Sequence, residues 1–172
     1  MTMRPPRRFD DALMVPPDAG STVVDAALLA NLRAWCEGGA FPALMEPLRV
    51  ATLTPHAGLD SAACALDGSH ELARLGRWRG LAWRLQILLR ESVAGHAARP
   101  VDPWDCGWWR EGPLGPAESF RPRRATLLMV RDPAPAVAAA LLSALRAGSA
   151  GYDKPLRVLV VSEAAIAGVE RL

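Results

Sequence analysis

The stretch that most limits what this chain can fold into runs from Arg123 to Val161. Ala125-Thr126-Leu127-Leu128-Met129-Val130 is a short, unbroken apolar run, the pattern of a strand buried on both faces. Asp132-Pro133 follows. Aspartate accepts bonds from the open N–H groups of a first helical turn, and proline suits the first helical position, so a helix is expected to begin there. Ala134 to Ala147 is rich in Ala and Leu, both strong helix formers, and Gly148 is the expected stop. A turn-rich link, Ser149 to Pro155, leads to a second β-branched run, Arg157-Val158-Leu159-Val160-Val161. Two such strands joined through a helix predict a right-handed parallel crossover. The expected fold class is therefore α/β (or α+β): a small sheet with a C-terminal strand–helix–strand unit, covered by N-terminal amphipathic helices.

Those covering helices come from two segments. Residues 22–37 carry Val24, Ala27, Leu28, Leu32 and Trp35 at helical spacing, with Ser21 or Thr22 as cap and Gly38-Gly39 as the end. The longest helix is expected from about His70 to Ser92, capped by Asp67 or Ser69. Leu72, Leu75, Trp78, Leu81, Leu85 and Leu88 form one apolar stripe along it, and Arg74, Arg77 and Arg84 sit off that stripe. Gly76 and Gly80 weaken it by roughly 1 kcal/mol each. Leu48 to Leu53 reads as a strand, Ala57 to Ala65 as a short helix, and Ser162 as the cap of a short final helix from Glu163 to Glu170.

Domain organisation follows from the breakers. Residues 1–20 contain Arg4-Pro5-Pro6-Arg7-Arg8 and Pro16-Pro17, so they are expected to form an extended Pro/Arg-rich arm. Residues 21–172 are expected to form a single α/β domain. A chain of 172 residues suits one core. The domain is interrupted at 95–122 by a long connection dense in Pro and Gly. Within it, Asp102-Pro103-Trp104-Asp105-Cys106-Gly107-Trp108-Trp109-Arg110 holds three of the six tryptophans. Connections of this length tend to carry function.

Composition removes several function classes. The formal charge of +2 does not by itself demand a nucleic acid or an acidic membrane. Lys154 is the single lysine among 20 Lys and Arg residues. With abundant Ala, Gly and Pro, that bias points to GC-rich codons and a bacterial source. Cys36, Cys64 and Cys106 are odd in number and widely spaced, which fits a reducing cytoplasm better than a disulfide framework. Met1 to Arg8 is basic, but Phe9-Asp10-Asp11 follows in place of an apolar signal core. No uncharged apolar stretch is long enough to span a bilayer. No membrane partner and a cytoplasmic location are expected.

Catalytic and cofactor chemistry lacks its usual patterns. Cys36, Cys64, Cys106, His56, His70 and His96 include no paired metal ligands of the C-x-x-C or H-E-x-x-H kind. Neither a dinucleotide fingerprint nor a phosphate loop is present, and Pro133 and Pro135 remove N–H groups that would hold phosphate after the first strand. Ser162 lacks the glycines of a nucleophile elbow. No catalytic residue, metal or cofactor is therefore assigned. A site near Cys106, Asp132 and Ser162 stays as a third reading, because Asp132 ends a strand and Cys106 sits in a Gly-containing stretch.

Two binding functions remain. Trp and Arg dominate binding hot spots, so Trp104, Trp108, Trp109 and Arg110, assisted by the arm, are the expected contacts of a small accessory or adaptor protein with a protein partner. The alternative is nucleic-acid binding. From Arg74 to Arg124 there are ten arginines against five acids, interleaved with tryptophans. Its contacts would be Arg74, Arg77, Arg84, Arg121, Arg123 and Arg124. The oligomeric state is not encoded in any pattern.

Overall fold

A computed structural model of the protein describes residues 11–18, 23–38, 46–92, 102–164, 166 and 169–172. Along the chain these form β1 (Met14–Val15), α1 (Ala26–Glu37), β2 (Leu48–Leu53), α2 (Leu59–Leu66), α3 (Ser69–Arg74) and α4 (Arg77–Ser92). Then come β3 (Asp105–Trp109), α5 (Gly115–Ser119), β4 (Thr126–Arg131), α6 (Pro135–Gly148), β5 (Leu156–Val161) and β6 (Glu170–Arg171). The strands join in one sheet of order β1-β3-β4-β5-β2-β6. Only β1 runs antiparallel to its neighbour; every other pairing is parallel.

The strand–helix–strand unit lies at the centre. β4 and β5 pair in parallel from Thr126↔Leu156 to Arg131↔Val161. Their side chains alternate between two cores, because successive residues of a strand point to opposite faces. Leu127, Met129, Leu159 and Val161 meet α1 and α2 on one face. Leu128, Val130, Leu156, Val158 and Val160 meet α5 and α6 on the other. This double covering is why both sequences read as continuous apolar runs.

The starts and stops differ from the sequence expectation in instructive ways. Helix α6 begins at Pro135, not at Asp132-Pro133, and its cap Ala134 has no side-chain bond to offer. A residue before proline is pushed out of the helical region, and Ala134 sits at ψ 141°, so no helical turn forms before Pro135. Gly148 remains helical and the chain continues into a single 3-10 turn, Ser149–Gly151. Helix α1 is capped by Asp25, whose Oδ1 accepts from Ala27 and Leu28 N–H; Ser21 and Thr22 lie outside the described residues. It does end where glycine allows a left-handed turn, at Gly38 (φ 73°).

The segment read as one helix from His70 to Ser92 is two, α3 and α4. Leu75 is extended (ψ 138°) and Gly76 follows it, so the helical bond ladder breaks there. The break changes what the segment does. The sheet is covered by α1 and α2 on one face and by α5 and α6 on the other. No α4 residue belongs to either core. The final segment differs too. Ser162 Oγ accepts Ala164 N–H, as a local turn, and the chain ends in strand β6 beside β2.

The stretch read as a long connection contains a sheet strand. β3 pairs with β4 from Asp105↔Thr126 to Trp108↔Met129. On its outer side β1 pairs Met14↔Trp109 and Val15↔Trp108. Of the expected arm, residues 11–18 thus pack on their own chain, with Leu13 and Met14 fully buried. Residues 1–10 and 19–20 lie outside the described set. Gly107 is needed for this approach, because a Cβ there would fall 2.9 Å from both Met14 Cε and the Val15 carbonyl.

One buried charge joins the layers. Arg157, on β5, is inaccessible to solvent, and its guanidinium donates to the carbonyls of Cys36 and Glu46 at 3.0 Å each. Cys36 lies in the last turn of α1, where carbonyls lack helical partners and the dipole favours a cation. Arg157 therefore holds the end of α1 against the sheet. Burial lowers its pKa to about 10, which leaves it charged at neutral pH.

Candidate functional site

In parallel sheets, ligands generally meet the carboxyl ends of the strands. Here those ends border a crevice of about 570 Å³, lined by residues that follow β2, β4 and β5 and by Trp108 of β3. Trp108 Nε1–H donates to Asp60 Oδ1 at 2.6 Å, and the Arg131 guanidinium lies 4.3 Å over its ring. Asp132 adopts φ 37°, unusual for a residue other than glycine. Its N–H bonds the Val161 carbonyl at 2.8 Å, and Ser162 Oγ donates to its carboxylate at 3.0 Å. The Ser162 N–H bonds the Leu53 carbonyl at 3.0 Å, so three strand ends are fastened together. His56 Nδ1 accepts from Gly58 N–H at 3.0 Å, and its Nε2 faces Asp25 Oδ2 at 3.6 Å.

The Ser162 hydroxyl donates to a carboxylate, and among the described residues no imidazole bonds to it. Cys106 is the clearest departure from the third sequence reading. It is fully buried in β3 and its side chain packs in the α1/α2 core, out of the crevice. Cys36 is equally buried, and desolvation raises its pKa far above the ordinary thiol value, so it stays a thiol. Among the described residues no group of three or more His, Cys, Asp or Glu is placed to hold a metal ion.

The four expected partner contacts go to different places. Trp104 is 2% exposed, packed in the α1/α2 core, with the Arg157 guanidinium 5.9 Å from its ring centroid. It is a core residue. Trp108 is half-buried at the crevice, and Trp109 is half-buried against the α5/α6 core. As adjacent strand residues they point to opposite faces, and each face has a core to receive one. Arg110 is exposed, but its Nε donates to the Asp11 carbonyl at 3.1 Å and its N–H to that of Leu13 at 2.8 Å. Its visible work is to pin the segment before β1.

The six expected nucleic-acid arginines also divide. Arg124 is 6% exposed and pairs with buried Asp105 at 3.1 Å, which withdraws it from any surface. Arg121 donates to the carbonyls of Glu118 and Phe120 and lies over Tyr152. Arg123 is exposed in the β4 approach. Arg74 and Arg77 are exposed and Arg84 is half-buried, all on α3 and α4.

The surface that sequence reasoning passed over is the outer face of α4. Its inner face meets the protein: Ile87 is buried, and the Trp83 ring packs on Gly68, where a Cβ would come within 2.8 Å of it. Gly68 itself needs φ 80°, so glycine is required there twice over. The opposite side carries Trp78 at 85% exposure, with Leu81 at 46%, Leu85 at 51% and Leu89 at 67%. Of the expected stripe, Trp78, Leu81 and Leu85 face solvent, Leu75 and Leu88 are half-buried, and Leu72, on α3, is buried; Leu89 joins the exposed row. A signal was available: Trp83 and Ile87 make the helix apolar on a second side, and one helix cannot bury both sides on one sheet face.

Among the described residues no helix is long and apolar enough to cross a membrane. Comparison with known proteins adds no relative: no protein-family model matches the chain, and no curated protein or solved structure matches it either.

Proposed function

We propose that this chain is a small bacterial cytoplasmic accessory protein that works by holding a protein partner, without catalysis of its own. The observation that carries this reading is the solvent-facing row Trp78, Leu81, Leu85 and Leu89 on α4. Covering a side chain of this size stabilises by about 1.5–3 kcal/mol, so four left open on one helix face are a reserve of binding energy. The docking surface therefore moves from the Trp104–Arg110 stretch, whose side chains are engaged within the fold, to α4. The engaged polar groups of the crevice support a scaffold role for the carboxyl ends of β2, β4 and β5. Three buried cysteines in separate elements agree with a reducing compartment.

A second reading rests on its own observation. Arg77 and Arg79 flank Trp78, and all three are exposed, an arrangement suited to stacking a base beside its phosphates. Tagged protein recovered from its native cell, with and without nuclease, separates the two. The accessory reading expects a protein retained in both cases and lost with the Trp78→Ala/Leu85→Gln double variant. Retention that disappears with nuclease, and binding that falls steeply with salt, would replace it with the nucleic-acid reading. Retention of nothing would end both.

A further inference from the structure

Building on the accessory reading, we infer that the outer face of α4 receives an amphipathic helix of a partner protein whose apolar seam is edged by Asp and Glu. The apolar row runs from Trp78 to Leu89, about 16 Å at 1.5 Å per residue, or three helical turns. At 100° per residue it occupies a sector of roughly 80°, a width that one helix can cover on another. Arg77 and Arg84 border one margin of that sector and Arg79 the other. None of the three forms an ion pair among the described residues. From Leu72 to Arg90 the sequence holds no acid at all.

That charge pattern selects the occupant. A second copy of α4, laid antiparallel, would bring arginine margins against arginine margins, and like charges at a packed seam oppose association. A partner helix with acidic margins meets both needs: its apolar seam covers the row, and its carboxylates reach the guanidiniums in charge-assisted bonds. The inner contacts of α4 explain how the face is presented. Trp83 and Ile87 hold the helix to the body above a cavity of about 100 Å³, and the outer sector carries no core packing that docking would disturb.

The test uses the full chain and two labelled synthetic peptides. Both are helical with leucine at the seam positions; one has glutamate and the other lysine at the margins. Fluorescence anisotropy at low and physiological salt is expected to show the glutamate peptide binding at least about tenfold tighter than the lysine peptide. Leu81→Gln/Leu85→Gln should weaken that binding about tenfold or more while leaving the circular dichroism spectrum and melting unchanged. Arg77→Gln/Arg84→Gln should bring the two peptides toward equal affinity. Equal affinity in the unaltered protein would overturn the inference, as would no binding to either peptide. Binding to anionic phosphatidylglycerol vesicles but not to peptide, or dimerisation of the chain that Leu85→Gln abolishes, would overturn it equally. If a native partner depends on α4 but the peptides are not distinguished by charge, the accessory reading stands and only the acidic-seam inference fails.

Discussion

Helix α4 and strand β3 with the residue before it hold five of the six tryptophans, Trp35 of α1 being the sixth, and the two segments have opposite fates. Arginines lie within α4 and directly after β3, and both segments fall in the most basic part of the chain. In β3 every tryptophan is engaged inside the fold. Trp104 lies just before the strand in the core, Trp108 is bonded to Asp60, and Trp109 packs beside β1. In α4 one tryptophan, Trp83, packs inward and the other, Trp78, stands almost fully open. The difference is geometric. A central strand has two covered faces, so each side chain of β3 finds a core. A helix at the periphery has one covered face, and an apolar residue on its far side has nothing to meet.

The strongest way to break this contrast is to truncate one tryptophan from each side of it. Trp104→Ala should lower stability by about 3–5 kcal/mol, the usual loss when a large buried aromatic leaves a cavity. A urea midpoint close to that of the unaltered protein would show that Trp104 is not a core residue. Next in size is the seam between β1 and β3. Gly107→Val should lower stability by about 1–3 kcal/mol and loosen residues 11–18, since its side chain would strike Met14 and the Val15 carbonyl. Hydrogen exchange at the Arg110 amide, which bonds the Leu13 carbonyl, would rise with it.

A smaller effect concerns the buried thiol of α1. Burial raises the Cys36 pKa, so the folded protein keeps a proton that the unfolded chain releases above about pH 9. The unfolded state then binds fewer protons, and stability falls as pH rises past that point, by at most about 1.4 kcal/mol per pH unit. Below it the contribution is constant. Unfolding midpoints of the Cys36→Ala variant should be flatter than those of the unaltered protein between about pH 9 and pH 10. The smallest effect sharpens the comparison most: Trp78→Ala should change stability by no more than about 0.5 kcal/mol, as exposed sites do. A loss of several times that would mean the α4 face is already covered.

Much of the architecture is written locally. The two central strands and the helix between them follow from unbroken apolar runs and an Ala/Leu segment, and so does the mixed α/β class. Other features depend on contacts between distant parts of the chain. Asp132 reads as a helix cap from its neighbours alone. Its role as a tie between β4 and β5 needs Val161 and Ser162, some thirty residues on, to be brought beside it. The Asp102–Arg110 stretch reads as a loop because it lies within 95–122, a segment dense in Pro and Gly; pairing with both β1 and β4 makes its second half a strand, as tertiary partners override local preference.

Periodicity by itself established that α4 has an apolar stripe and that arginines border it, because spacing along a helix is a property of the chain alone. Which side of α4 faces the body was decided by the tertiary structure. Two apolar sides competed for one contact. The break at Leu75-Gly76 and the close seat of Trp83 on Gly68 settled that competition, turning Trp78, Leu81, Leu85 and Leu89 outward.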